Sequence, residues 1–130
     1  MAFQSARACA GRILVVEDNF LMAEVLCELL TERGCEVVGP APRLAIALDL
    51  AAHNAIDGAF LDVNLAGEYC FPLARYLQEK GVPFVFLTGY GEGTVIPAAF
   101  QAVPLLSKPF NPGEVVEITR RYFRMPSPAP

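Results

Sequence analysis

The sequence predicts an α/β domain built on an open, doubly wound parallel sheet of five strands, and three observations predict it. Short apolar β runs alternate with stretches of helical periodicity along the whole chain. With 54% hydrophobic and 18% charged residues, the chain is richer in apolar side chains than an ordinary soluble domain, as strands buried on both faces require. Its 130 residues are the length of one domain with one core.

The elements follow in order. "RILVV" (Arg12 to Val16) is a β run, and Leu21, Val25 and Leu29 then recur at helical spacing beside Met22, Leu26 and Leu30, closed by Gly34. "CEVVG" is the second strand, after which Pro42 opens a helix through "RLAIALDLAAH". "GAFLD" is the third strand and ends on Asp62; past the loop "VNLAGEYC", Pro72 suits the first position of a helix that Gly81 stops.

"VPFVFLT" is the fourth strand. The glycines and proline of "GYGEGTVIPAAFQ" predict a short or irregular fourth helix. "VPLLS" is the fifth strand, and Asn111, Pro112 and Glu114 read as N-cap, N1 and N3 of a last helix that turns Val115, Ile118, Thr119 and Tyr122 inward. The domain is expected over residues 12–124, with residues 1–11 as an N-terminal extension and 125–130 as a disordered tail.

Composition excludes several function classes. A net charge of −4 argues against a nucleic-acid surface, and Arg120, Arg121 and Arg124 are placed to complement a helix end. No apolar run is long enough to span a bilayer, and the N-terminus lacks the hydrophobic stretch of a signal peptide, so a cytoplasmic protein without membrane partners is expected. Cys9, Cys27, Cys35 and Cys70 form no C-x-x-C pair and His53 has no neighbouring ligand, which speaks against zinc and for reduced, structural thiols.

Ligands of open parallel sheets bind beyond the C-terminal ends of the strands. Glu17 and Asp18 end the first strand, Asp62 the third and Thr88 the fourth, while Lys108 follows the fifth, so all converge on one edge. Three carboxylates without a histidine or cysteine make a hard oxygen site suited to Mg²⁺. A metal alone leaves Lys108 and Thr88 unexplained. An ammonium and a hydroxyl facing a carboxylate across Mg²⁺ fit a carboxylate that becomes phosphorylated, with Asp62 as the nucleophile.

At this point the sequence resembles the receiver domain of two-component response regulators. "VVEDN" is similar to that family's acidic pair, "FLDVNL" to its phospho-acceptor segment, "FLTGY" to its strand-four threonine and "LLSKPF" to its lysine and proline; the similarity covers residues 12–123. The resemblance implies a CheY-like, flavodoxin-like (βα)5 fold with strand order 2-1-3-4-5. It implies that Asp18 and Asp62 ligate Mg²⁺ directly, Glu17 through water and Asn64 through its carbonyl, and that Lys108 and Thr88 contact the phosphoryl group. It also implies a cis bond between Lys108 and Pro109. The function it implies is that of a stand-alone regulator, phosphorylated on Asp62 by a histidine kinase or histidine phosphotransfer protein, which signals by binding a protein partner or drains phosphate. Its catalysis would be confined to its own phosphorylation and dephosphorylation.

Two departures bear on how a signal leaves the site. Where many receivers carry an aromatic residue three positions before the lysine, this chain has Leu105. "FLTGYG" is similar instead to a stand-alone subfamily marked by Phe-Ala-Thr-Gly-hydrophobic-Tyr, with Leu87 in place of Ala and Gly91 in place of Tyr. Thr88, Gly89, Tyr90 and Pro109 are therefore the expected conformational positions. Two other readings use the same strand-end aspartate or the same fold. A haloacid-dehalogenase-type phosphatase needs a second acid two residues after the nucleophile, and that residue is Asn64. A flavodoxin-like binding module needs a phosphate loop after the first strand, where this chain has Glu17, Asp18 and Asn19.

Overall fold

The structure, a computed structural model, describes residues 11–89 and 91–123. Tyr90, Arg124, the expected tail and all of the expected extension except Gly11 lie outside those residues. The described chain runs β1 (Arg12–Val16), α1 (Phe20–Glu32), β2 (Glu36–Ala41), α2 (Leu44–His53), β3 (Gly58–Asp62), β4 (Asn64–Leu65), β5 (Glu68–Tyr69), α3 (Phe71–Glu79), β6 (Phe84–Thr88), β7 (Leu105–Ser107) and α4 (Pro112–Tyr122). The main sheet is parallel throughout, in the order β2-β1-β3-β6-β7, which is the expected 2-1-3-4-5 once the small β4-β5 hairpin is set aside.

Alternation along the central strands divides the core in two. Leu14, Val16, Ala59, Leu61 and Phe86 face α2 and α3, packing on Ala47, Ala51, Leu73 and Leu77. Ile13, Val15, Phe60, Val85 and Leu87 face α1 and α4, packing on Leu26, Leu30, Val115 and Phe123. Among the described residues between β6 and β7 the regular structure is the 3₁₀ turns Glu92–Val95 and Ala98–Phe100, as the glycines and Pro97 predict. Phe100 fills that face by stacking on Phe71 at 6.0 Å and meeting Phe86 edge-on at 5.9 Å.

Packing selects among the apolar stripes and corrects three local expectations. On α1 the buried stripe is Ala23, Leu26 and Leu30, whereas Leu21 and Val25 are exposed, because neighbouring apolar stripes differ by one residue in helical phase. β2 continues past Gly39 through a cis Gly39–Pro40 bond to Ala41, which an edge strand tolerates, so α2 begins at Leu44 and not at Pro42. Gly39 has φ of +105°, and a Cβ there would stand 2.8 Å from the Val15 carbonyl oxygen. On α3, Cys70 takes the N-cap, which moves Pro72 one place inward.

At the C-terminal end of α4, Tyr122 faces solvent and Phe123 turns inward, its ring 5.2 Å from that of Phe60. The Asn111 capping box forms as expected, with Asn111 Oδ1 accepting from Glu114 N at 2.8 Å. Cys27 and Cys70 are free, but Cys35 is disulfide-bonded, so reduced thiols throughout is not what the structure shows; spacing in the sequence carries no information on pairing. Among the described residues no helix is long and apolar enough to cross a membrane.

Candidate functional site

The polar edge of the sheet is built by strand ends. Glu17 directly follows β1, and its N–H donates to the carbonyl of Ala41 at 3.0 Å, which fastens it to the end of β2. Asn19, and neither acid, caps α1: its Oδ1 accepts from Met22 N at 3.0 Å, and its own N–H donates to Glu17 Oε2 at 3.0 Å. Glu17 is thereby held inside at 2% exposure while Asp18 stays in solvent.

Asp62 ends β3 at 1% exposure, between β1 and β6. Its Oδ1 accepts from Asn64 N at 3.3 Å, and Asn64 is fixed in turn by the β4-β5 hairpin, where its own Oδ1 accepts from Gly67 N at 2.7 Å. Ala66 and Gly67 form the two-residue turn of that hairpin with φ of 52° and 98°, the left-handed geometry that such turns demand. The sequence predicts only a loop here.

Thr88, buried, stands one residue past Leu87, which pairs with Asp62 across the sheet. Its carbonyl accepts from Lys108 N at 2.8 Å, so the fifth strand delivers Lys108 to the same edge. Lys108 Nζ lies 2.9 Å from Asp62 Oδ2, and 3.1 and 3.3 Å from Glu17 Oε1 and Oε2. The Lys108–Pro109 bond is cis, as expected. All of Glu17, Asp18, Asp62, Asn64, Thr88 and Lys108 thus come together, and Gly89 and Pro109 flank them. Leu105 is exposed at the sheet edge.

The electrostatics of this group are unbalanced. Burial pushes the Asp62 carboxyl up to about 8; the Glu17 charge and contact with Asp18 act in the same direction, while Lys108 opposes them. At Lys108 burial alone would lower the ammonium, but the hydrogen bond to Asp62 and the charges of Asp62 and Glu17 outweigh it, and the net direction is up. Each of Glu17, Asp18 and Asp62 offers a ligand atom, all within 4.8 Å of one another. Glu17 Oε1 is buried and accepts no well-aligned hydrogen bond, its ammonium neighbour Lys108 at 3.1 Å being shared with Asp62. A buried carboxylate oxygen so incompletely paired, beside two further carboxylates and with one ammonium against three acids, fits a hard divalent cation held by oxygen.

Glu92 escaped the sequence reading. It enters the first 3₁₀ turn, and its Oε1 accepts the Gly89 N–H at 2.8 Å. In the sequence it is an acid in a glycine-rich loop, and nothing in its spacing points at the site. A Cβ at Gly89 would meet the Glu92 carboxylate at 3.6 Å, an ordinary contact.

Comparison with known proteins agrees with this geometry. The family model described as "Response regulator receiver domain" matches residues 13–120. Over 114 residues the chain is 30% identical to the sensory transduction protein LytT of Bacillus subtilis, covering 85% of this chain and 47% of LytT. It therefore spans about half the length of that curated relative. The solution structure of SdrG from Sphingomonas melonis superposes with a TM-score of 0.74 at 38% identity, covering 85% of this chain and 92% of SdrG. The response regulator PhyR from Brucella abortus superposes with a TM-score of 0.77 at 25% identity, covering 91% of this chain and 49% of PhyR.

Proposed function

The chain belongs to the response regulator receiver family, and from that premise we propose that Asp62 is its phospho-acceptor, phosphorylated in the presence of Mg²⁺ by a histidine kinase or histidine phosphotransfer protein. In this reading the protein is a cytoplasmic regulator that signals by binding a protein partner or serves as a phosphate sink. The observation that carries it is Lys108 Nζ, 2.9 Å from a buried aspartate whose carboxylate is clustered within 4.8 Å of those of Glu17 and Asp18.

The chemistry is a transfer between two nucleophiles. An Asp62 carboxylate oxygen attacks phosphorus as the bond from phosphorus to the donor imidazole nitrogen breaks, and that nitrogen leaves with the electron pair. Glu17, Asp18, Asp62 and the Asn64 carbonyl would hold Mg²⁺, which when bound supplies neutralisation of the carboxylates and of the incoming phosphoryl oxygens. Lys108 bonds one of those oxygens. The Thr88 hydroxyl and the Asn64 amide, both at strand ends beside Asp62, donate to the others.

The test is to incubate the protein with Mg²⁺ and acetyl phosphate and weigh it intact. A gain of one phosphoryl group is expected, absent without Mg²⁺ and absent in Asp62→Asn. A gain that persists in Asp62→Asn would overturn the assignment. A beryllofluoride-activated conformation is recorded for SdrG, which supports using that phosphoryl mimic on this chain.

A further inference from the structure

The two central strands β3 and β6 carry matching amides past their ends. Asp62 pairs with Leu87, so Asn64 and Gly89 each stand two residues beyond the pair. The Asn64 N–H already points at Asp62 Oδ1. The Gly89 N–H does not reach the acids: it is taken by Glu92 Oε1 at 2.8 Å, and Glu92 N donates back to Gly89 O at 3.2 Å, which closes a ring at the start of the 3₁₀ turn. The buried Cys70 thiol is raised chiefly by burial, and also by the charges of Asp62 and Glu92.

A phosphoryl group on Asp62 presents three oxygens to this edge. Lys108 and the Asn64 amide serve two of them, and the Gly89 amide, next to Thr88 at the end of β6, is a second donor beside the Thr88 hydroxyl for the third. One N–H cannot serve a carboxylate and a phosphoryl oxygen together, and the two anions repel each other. We propose that Glu92 is a positioning residue that occupies the Gly89 amide while Asp62 is unmodified and is expelled from it when Asp62 carries a phosphoryl group. This rests on Asp62 being the phospho-acceptor. Expulsion opens the ring and frees Glu92–Val95, so phosphorylation is coupled to the irregular segment through one exchange of acceptor at one amide.

The experiment is a beryllofluoride titration in excess Mg²⁺, followed by backbone amide shifts, on wild type, Glu92→Ala and Glu92→Gln. Removing a charged competitor for one hydrogen bond should tighten beryllofluoride binding about tenfold in Glu92→Ala. Glu92→Gln, which keeps a neutral acceptor, should fall between. The Gly89 amide resonance should differ between wild type and Glu92→Ala before titration and coincide after it, a convergence that a merely structural role for Glu92 would not produce. If wild type binds but Glu92→Ala binds no tighter, or the loaded spectra stay apart at Gly89, the role of Glu92 is overturned and the phospho-acceptor reading stands. If wild type takes up no beryllofluoride, the phospho-acceptor reading falls and this inference with it.

Discussion

Lys108 and Asp62 form a part-buried ion pair, 2.9 Å between Nζ and Oδ2, and the same ammonium also reaches Glu17, so one cation serves two buried carboxylates. Removing one partner of a buried pair typically costs about 3–5 kcal/mol. Lys108→Met should cost less, about 2 kcal/mol, because Asp62, with the opposing pull of Lys108 removed, can discharge itself by binding a proton. Urea denaturation at about pH 9 without Mg²⁺, where Asp62 of wild type is ionised, measures it. Adding Asp62→Asn to Lys108→Met should recover most of the loss, and a double variant no better than the single one would refute the pairing energy.

Crowded acids also predict a response to metal. Glu17, Asp18 and Asp62 share a small volume, and a cation bound only by the folded state stabilises it by mass action, by about 2.7 kcal/mol at a hundredfold excess over Kd. The melting temperature of wild type should therefore climb with Mg²⁺. Asp18→Asn, which removes an exposed ligand without disturbing the core, should flatten that climb. Equal Mg²⁺ curves for the two proteins would remove Asp18 from the metal site.

The raised carboxyl of Asp62 fixes the sign of a pH effect in metal-free protein. Its folded value, about 8, lies above the ordinary 3.8, so the folded state holds a proton that the unfolded chain releases. The contribution of Asp62 is then fully present below pH 3.8 and is lost as the pH rises towards about 8. Lys108, whose shift is upward from 10.5, stays charged across this window. Urea midpoints in EDTA should thus fall between pH 5 and pH 8, and the fall should shrink in Asp62→Asn and on adding Mg²⁺. A midpoint that rises over this range, with the variant matching wild type, would contradict the assignment.

The packing of the last helix can be tested apart from the site. A Cβ at Gly58 would stand 2.9 Å from the Phe123 ring, which is itself wedged against Phe60. Gly58→Ala should lose about 1–3 kcal/mol through overpacking. Pairing it with Phe123→Leu should return part of that loss, read from urea midpoints; a neutral Gly58→Ala would show that Phe123 does not dock as described.

The parts of this structure that were legible in the sequence are those fixed by strong local signals. Apolar β runs and their end residues located Glu17, Asp18, Asp62, Thr88 and Lys108, because a parallel sheet carries every strand end to one edge. The Asn111 capping box was readable for the same reason, being written in three residues. What was hidden depended on choices that the sequence leaves degenerate. Neighbouring stripes on α1 are equally apolar, so only packing selects Leu26 and Leu30 over Leu21 and Val25. Tyr122 and Phe123 differ by one residue at a fraying helix end, and the buried one is whichever finds Phe60. Glu92 was invisible because its partner is a backbone amide, which has no letter in the sequence.

The site also has a topological cost. Its cation and its buried acids lie far apart along the chain: Lys108 is 91 positions from Glu17 and 46 from Asp62. The two acids come from adjacent central strands, so a fragment that ended before Leu105 would keep Glu17 and Asp62 side by side and lack the ammonium that offsets them. The three-residue β7, bonded to β6 alone, is thus the clasp that joins the two ends of the chain. Loop closure of that span has to be complete before the acids find their counter-charge, which reserves the ammonium-bearing site for chains that have folded to the last strand.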